Sequence, residues 1–488
     1  MFVVAGRAAT PDSVLILCTT LALAIYVKGT FQPRFETTPA DAPPRLITLG
    51  HYFPQHWPTV LVMYAVMGLA VLAKGPIMLL LPTAVIGMFL LIARLPSQHQ
   101  EGPRTYVDVA RRLLAPFEPL HFLATCWYMR LFTAVFAATA VALPWYWSVG
   151  MATDGEFLNR FFLEHHFGRA VTPMEGHRGN ILFYPAAVLI GCFPWSVFAV
   201  PLAIDAALQM RRRDRFHAGY VFAACWIGVY VGLFSLASTK LPSYVTPCYP
   251  AIALLIGDYF DRWSRQSAAV AGNWLIASFS FLALGGVAIA TLIPVVVVKY
   301  LPHEEWLGLI GLLPIVGAAV CIGFVLVRNY QTAAGAFGLT AVLFAPLLFG
   351  FGADRVDLHQ QSHRLLDAIR SHSANPQVAT FSVFEPSWVF YNGSPIREFT
   401  FRRNADPAAS IAAAAEFLST APESFVITTQ KGFRTLAPSL PADIVAIETI
   451  PYFLKDETLL VLTRRPPDWQ EVATALPVTA SAPWTERR

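Results

Sequence analysis

Long apolar runs without Asp, Glu, Lys or Arg recur along this chain. Each approaches the roughly 20 residues that an α-helix needs to cross bilayer hydrocarbon. Backbone polar groups in hydrocarbon must be satisfied within their own segment, so such runs favour transmembrane helices. The sequence predicts about ten spans, at 13–27, 59–73, 77–93, 131–149, 181–204, 219–237, 241–256, 274–298, 307–327 and 333–352.

Composition narrows the class further. The chain is 55% hydrophobic and 14% charged, and its charges gather between the apolar runs, as in polytopic membrane proteins. The six cysteines lie in or beside the runs without a CxxC pair, so neither a disulfide framework nor a cysteine zinc site is expected. The net charge of +4 fits basic loops, and no nucleic-acid partner is predicted.

The basic residues predict an orientation, because short cytoplasmic loops carry an excess of Lys and Arg. One set of alternate connections holds only Arg7, Lys74, Arg160, Arg169, Arg178, Lys240 and Lys299. The richer set holds Lys28, Arg34, Arg45, Arg94, Arg104, Arg111, Arg112, Arg130, Arg211, Arg212, Arg213, Arg215, Arg262, Arg265 and Arg328. The richer set is therefore assigned to the cytoplasm, and the poorer set and the C-terminal region to the outer side.

The hydropathy falls after Gly352. This divides the chain into a transmembrane domain at 1–353, a small extracytoplasmic α/β domain at 354–465 and a flexible tail at 466–488. Leu365, Leu366 and Ile369 mark an amphipathic helix. Strands are predicted at 377–384, 424–429, 444–450 and 458–463, and Asp406 is expected to cap an alanine-rich helix. The predicted fold class is an α-helical polytopic membrane protein with a soluble α/β domain.

Three polar elements interrupt the apolar background on the predicted outer side. Lys74 stands in a tight break between two runs, either as a snorkelling lysine or as a cation for an anionic head group. The loop 156–179 is either an amphipathic interfacial helix or a polar site at the membrane surface. Lys240 precedes Pro242 and Tyr244, a pattern that fits belt anchoring but also frees backbone groups.

The loop also contains the chain's candidate metal ligands. Glu164 and His165 are adjacent, and carboxylate and imidazole groups bind divalent ions. The HExxH spacing is missing, so a metalloprotease is not predicted. A divalent metal ion is a possible cofactor, and no other cofactor is predicted.

Taken in this order, the elements resemble lipid-carrier-dependent glycosyltransferases of the GT-C fold, in the branch of protein O-mannosyltransferases and lipid A aminoarabinose transferases. Lys-Gly-Pro at 74–76 is similar to that family's KGP break. The polar residues of 164–178, followed by Pro-Trp-Ser at 194–196, resemble its outer loop and the span that follows. Lys-Leu-Pro-Ser-Tyr at 240–244 is similar to its KLPxY segment. The resemblance covers residues 6–352.

The resemblance implies an enzyme of the cell (inner) membrane that takes a sugar from a polyprenyl-phosphate donor. The sugar would pass to a hydroxyl group of an acceptor glycan, lipid or protein on the outer face. Cationic side chains would stabilise the phosphate as it leaves. The residues implied for the donor phosphate and lipid are Lys240, Tyr244, Arg169, His165, His177 and Lys74. Glu164 is a weak candidate for orienting a base or an ion.

The sequence departs from the family pattern at the catalytic carboxylate. The family's Asp-Glu loop follows its first span, and no such pair is present before Asp12, which matches a later family segment. We therefore expect a chain without its first spans, which binds donor but transfers sugar slowly or not at all. The alternatives are a non-catalytic membrane partner, as a pseudoenzyme or a truncated form, and a secondary transporter. The spans lack the mid-membrane charges typical of transporters.

Overall fold

The computed structural model describes residues 11–37, 52–95, 114–163, 179–212, 216–268, 272–399, 406–421, 423–453 and 455–465. The chain divides into two compact units. The first comprises Met1–Val287 with Gly311–Phe344, and the second comprises Ala288–Ile310 with Ala345–Arg488. The domain limits at 353 and 465, which were placed by hydropathy, stay predictions.

α-Helices of different lengths form most of the membrane region. They are α1 (Asp12–Thr37), α2 (Trp57–Lys74), α3 (Ile77–Ala93), α4 (Pro119–Tyr128), α5 (Leu131–Ala152), α6 (Glu156–Asn159), α7 (Phe183–Gly191), α8 (Ala199–Arg212), α9 (His217–Leu236), α10 (Tyr249–Ser264), α11 (Asn273–Tyr300), α12 (Leu312–Leu326) and α13 (Tyr330–Pro346). Shorter 3₁₀ segments lie at Ala115–Phe117, Trp195–Phe198, Pro242–Cys248 and Glu305–Gly311, and a π-helical turn lies at Leu347–Gly352.

Among the described residues, seven helices are long and apolar enough to cross a membrane, or eight if one bent pair counts as a single span. The polytopic helical class is thereby confirmed, with fewer continuous spans than the ten apolar runs. Helix α3 has 17 residues, and the run 181–204 bends by 117° between α7 and the helical segment Trp195–Arg212. The run 241–256 is not one α-helix, because it begins as the 3₁₀ segment Pro242–Cys248 and continues in α10.

Aromatic side chains dominate the core of the first unit. Helix α2 packs against both α1 and α5, and α9 packs against α3. Tyr26, Tyr64 and Phe89 are fully buried in this group. A second group forms around Phe198 and Trp263, which pack against residues of α11, α12 and α13.

The sheet of the second unit has five strands, with buried helices on both faces. The strands are β1 (Gln377–Phe381), β2 (Arg397–Phe399), β3 (Ser424–Thr429), β4 (Ile444–Pro451) and β5 (Thr458–Arg464), in the order β2-β1-β3-β5-β4. Strand β1 is parallel to β2 and β3, whereas β5 is antiparallel to β3 and β4. The accompanying helices are α14 (Ala353–Asp357), α15 (Ser362–His372), α16 (Pro386–Asn392), α17 (Pro407–Thr420) and α18 (Gln430–Leu436).

Most predicted elements of this α/β region are confirmed. Leu365, Leu366 and Ile369 are the buried face of α15. Asp406 caps α17, since its carboxylate accepts a hydrogen bond from the backbone N–H of Ala408 at 3.0 Å. Strand β2 was not predicted, because a three-residue strand gives almost no alternating pattern.

A carboxylate of the second unit is held by two basic side chains. Glu304 is 3% exposed and accepts a hydrogen bond from the Arg355 guanidinium at 2.5 Å. His359 Nε2 lies 3.4 Å from the same carboxylate. The hydrogen bond from Arg355 lowers the pKa of Glu304 below its ordinary value. The ion pair therefore contributes to stability only while Glu304 is ionised.

Acidification is expected to weaken this ion pair. Because the pKa of Glu304 is lower in the folded chain, its stabilisation is present above the unfolded pKa of about 4.3 and is lost as the pH falls through the folded value. Glu304→Gln should reduce the loss of melting temperature between pH 6 and pH 3 relative to wild type. Glu305→Gln, which leaves the Arg355 pair intact, is the matched control. Equal acid sensitivity in all three proteins would contradict this role of Glu304.

Candidate functional site

Lys74 lies at a tight turn between two membrane helices. It is the last residue of α2, and Gly75 follows with a φ of 84°, a left-handed conformation that favours glycine. The N–H of Gly75 donates to the carbonyl of Val71 at 2.7 Å, and Pro76 precedes α3. The turn satisfies its own backbone and fixes the lysine at the end of the helix.

Asp12 forms an ion pair with Lys74. It is the first residue of α1 and is 7% exposed, and its Oδ1 accepts a hydrogen bond from Lys74 Nζ. Because α1 and α2 are successive spans, the start of one and the end of the other reach the same membrane face. Asp12 was not among the predicted site residues. A single acidic residue at the edge of an apolar run is nevertheless a sequence signal for a polar contact at the membrane surface.

Tyr244 faces the same lysine from another element. Lys74 Nζ lies 5.0 Å from the centroid of the Tyr244 ring, a distance at which a cation and a ring attract each other. Tyr244 lies in the 3₁₀ segment Pro242–Cys248, since Pro242 and Pro247 each lack the N–H that a continuous α-helix needs. The indole Nε1 of Trp226 donates to the carbonyl of Pro247 at 2.9 Å.

Lys240 is buried and is committed to backbone groups. It is 5% exposed, and its Nζ donates to the carbonyls of Phe234 at 2.9 Å and Ser235 at 2.7 Å. These carbonyls end α9, so the ammonium group caps a helix C-terminus. Two of its three N–H donors are thereby used. The predicted contact between Lys240 and a donor phosphate stays a prediction.

Tyr184 links Lys240 to Tyr244. Its hydroxyl accepts a hydrogen bond from the N–H of Leu241 at 3.1 Å, and Lys240 Nζ lies 5.3 Å from its ring centroid. Phe234 lies between the two tyrosine rings, 6.0 Å from Tyr184 and 5.0 Å from Tyr244. We call Asp12, Lys74, Tyr184, Lys240 and Tyr244 the lysine cluster. Three predicted site residues, Lys74, Lys240 and Tyr244, are thus brought together.

Gly179 approaches this cluster closely. A Cβ atom added there would lie 2.8 Å from Cγ of Lys240 and 3.4 Å from the Phe183 ring. Carbon atoms do not pack at 2.8 Å, so a side chain at this position would displace the lysine stem. Gly179 lets the chain pass directly beside Lys240.

The beginning of the predicted outer loop packs on the lysine end of α2. The Tyr146 hydroxyl donates to the carbonyl of Val71 at 3.0 Å, and the rings of Phe161 and Phe162 lie 5.9 and 5.4 Å from that of Tyr146. Phe157 stacks on Phe161 at 5.5 Å. These aromatic residues place the start of the loop near the end of α2 that carries Lys74.

The other predicted site residues lie outside the described part of the chain. They are Glu164, His165, Arg169 and His177. Their roles, including metal ligation by Glu164 and His165, stay predictions. Within the described ranges, His, Cys, Asp and Glu form no group of three that could hold a metal ion.

A second charged network lies at the opposite ends of the helices. Asp205 is fully buried and pairs with Arg262, which also contacts Asp258 at 2.8 Å. The Tyr220 hydroxyl donates to the same Asp258 carboxylate. The network ties α8, α9 and α10 together, and we assign it to helix packing.

The membrane helices form a GT-C-like polytopic fold. The structure resembles the crystal structure of ArnT from Cupriavidus metallidurans bound to undecaprenyl phosphate, with a TM-score of 0.64 and 17% sequence identity. The similarity covers 94% of this chain and 75% of that one. At this identity, the likeness shows a shared fold.

The chain is also similar in sequence to proteins named as arabinosyl transferases. The undecaprenyl phosphate-alpha-4-amino-4-deoxy-L-arabinose arabinosyl transferase of Pseudomonas aeruginosa strain UCBPP-PA14 is 32% identical over 192 residues, which are 39% of this chain and 33% of the relative. The protein of the same name in Enterobacter sp. strain 638 is 23% identical over 49% of this chain and 42% of the relative. The matched part of the chain thus spans between a third and a half of these relatives' length. No protein-family model matches the chain.

The ion pair within the lysine cluster is expected to stabilise the fold. Lys74→Met should destabilise the protein more than Asp12→Asn, because it leaves a carboxylate that is 7% exposed without its cation. The double variant should recover part of that loss, with a coupling free energy of about 1 to 3 kcal/mol in a double-mutant cycle. Thermal unfolding in detergent gives the measurement.

The exposed pair Arg265–Asp261 is the matched control for this cycle. Its side chains are four residues apart on one helix and meet water, so Arg265→Met with Asp261→Asn should couple by only about 0.3 to 0.5 kcal/mol. Equal coupling in the two cycles would show that burial adds nothing to the Lys74 pair.

Proposed function

We propose that this protein is a membrane glycosyltransferase that moves a sugar from a polyprenyl-phosphate donor to an acceptor hydroxyl. The proposed donor is undecaprenyl phosphate carrying an aminopentose, the class named for the matched relatives. The proposed acceptor is a hydroxyl group on a glycan, lipid or protein. The position of Lys74 carries the proposal. Its ammonium group pairs with Asp12 and lies beside the Tyr244 ring at the end of a membrane helix.

The chemistry asks for a cation near the leaving group. Transfer breaks the bond between the sugar's anomeric carbon and a phosphate oxygen and forms a bond from that carbon to the acceptor oxygen. Negative charge grows on the phosphate as it leaves, and an ammonium group in a partly dry site stabilises that charge. The Lys74 side chain is 25% exposed and forms an ion pair with Asp12.

The two lysines of the cluster have different proposed roles. Lys74 is the proposed phosphate contact. Lys240 donates two hydrogen bonds to the end of α9. It is therefore proposed as a positioning residue that fixes Tyr244 and Tyr184 around the phosphate. Glu164, His165, Arg169 and His177 are proposed to complete the donor site, with Glu164 orienting a base or an ion.

Binding of the lipid carrier tests the role of Lys74. Lys74→Gln should weaken undecaprenyl phosphate binding to the purified chain about tenfold or more, because a charge-assisted hydrogen bond is lost. Binding of undecaprenol, which has the tail without the phosphate, should stay unchanged. Arg265→Gln, which removes a positive charge elsewhere, should bind both lipids like wild type. Equal binding of undecaprenyl phosphate by Lys74→Gln and wild type would refute the assignment.

We also propose that the lysine cluster and the second unit face the outside of the inner membrane. The distribution of Lys and Arg supports this orientation, since the richer connections belong to the opposite side. A phosphatase reporter fused after Arg488, which works only outside the cytoplasm, should be active there. The same reporter fused after Arg212 should be inactive, and the reverse pattern would overturn the orientation.

A further inference from the structure

A pocket lies at the end of the helices opposite the lysine cluster. It is lined by Phe53, Gln55, Trp127, Tyr128 and Arg130 and has a volume of about 190 Å³. Trp57 and Lys74 begin and end α2, whose 18 residues span roughly 27 Å at 1.5 Å per residue. That length is close to the roughly 30 Å of bilayer hydrocarbon. The pocket therefore lies at the other membrane surface.

Arg130 lines this pocket, and Arg94 lies against Tyr128, which also lines it. The Arg130 guanidinium carbon lies 4.1 Å from the centroid of the Trp57 ring, and that of Arg94 lies 4.5 Å from the centroid of the Tyr128 ring. Arg130 has a left-handed φ of 53° at the start of α5, a conformation that non-glycine residues adopt at a cost. Each cation is thus held against an aromatic ring, and Tyr128 and Arg130 both line the pocket.

Both arginines retain unused hydrogen-bond donors. Arg94 Nη1 donates to Thr125 Oγ1 at 3.3 Å, but its buried Nε has no acceptor within the described ranges. The buried Nη1 of Arg130 likewise has none there. Within the same ranges, neither arginine forms an ion pair with a carboxylate. A buried N–H group without an acceptor has a free-energy cost, and an anion bound here would remove that cost.

The surroundings favour an anion that carries acyl chains. Helix α4 runs beside the pocket and exposes Leu120, Leu123 and Trp127, and Phe132 next to it is 80% exposed. Large exposed apolar side chains at this level suit lipid, and tryptophan prefers the head-group region. A phosphate between the two guanidinium groups would leave its acyl chains against this surface.

We propose that Arg94 and Arg130 form a binding site for the phosphate of an anionic phospholipid in the leaflet opposite the lysine cluster. Planar guanidinium groups donate N–H bonds to phosphate oxygens, and each of these two arginines retains one N–H nitrogen without an acceptor within the described ranges. Phe53 and Trp127 line the pocket around the head group. This site is separate from the proposed donor site and stands whether or not Lys74 contacts a donor.

Native mass spectrometry of the purified full chain tests the site. The probes are dioleoyl phosphatidylglycerol, dioleoyl phosphatidylcholine and inorganic phosphate. Wild type should retain one tightly bound phosphatidylglycerol and bind phosphatidylcholine and inorganic phosphate at least tenfold more weakly. Arg94→Gln and Arg130→Gln should each lower phosphatidylglycerol affinity about tenfold. Arg265→Gln removes an exposed arginine that pairs with Asp261, and its phosphatidylglycerol affinity should match wild type.

Two further variants keep the test decisive if a glutamine variant does not fold. Arg94→Lys and Arg130→Lys retain the charge but lose the planar fork, so their affinity should lie between wild type and the glutamine variants. Melting temperature without added lipid reports folding for every variant. Unchanged phosphatidylglycerol binding in the folded arginine variants would overturn the proposal. Equally tight binding of phosphatidylcholine would overturn the requirement for an anionic lipid, and equally tight binding of inorganic phosphate would overturn a lipid ligand.

Discussion

Hydrocarbon offers no hydrogen-bond partner, and that constraint decides where this chain can depart from an α-helix. At several breaks near the lysine cluster, a side chain forms a hydrogen bond with the backbone. Trp226 donates to the carbonyl of Pro247, Lys240 donates to two carbonyls at the end of α9, and the Tyr184 hydroxyl accepts the N–H of Leu241. Polar groups therefore concentrate where the helices are interrupted, and the candidate site lies among those interruptions.

The charges of the first unit follow the same logic. Asp12 pairs with Lys74 at one membrane face, and Asp205 pairs with Arg262 at the other. Each carboxylate is buried, so each would be costly without its cation. The arginines at 94 and 130 differ, because aromatic rings rather than carboxylates face them within the described ranges. Carboxylates therefore hold Lys74 and Arg262, whereas aromatic rings hold Arg94 and Arg130.

Apolar run length predicted the membrane class and most helices, because burial in hydrocarbon acts on every residue of a span. Irregular segments were harder to predict. The run 241–256 contains no charge, yet Pro242 and Pro247 divide it into a 3₁₀ segment and the start of α10. The motifs identified Lys74, Lys240 and Tyr244, but the ion pair with Asp12 depends on the packing of α1 against α2. No local pattern contains that contact.

The close approach of Gly179 to Lys240 has an evolutionary consequence. The two positions share one volume, since a Cβ at 179 would lie 2.8 Å from the lysine stem. In homologous sequences, a larger residue at the first position should therefore occur with a shorter residue at the second. Lineages that keep lysine for capping the end of α9 should keep glycine as well. Substitutions at the two positions should therefore be correlated, although the residues are distant in sequence.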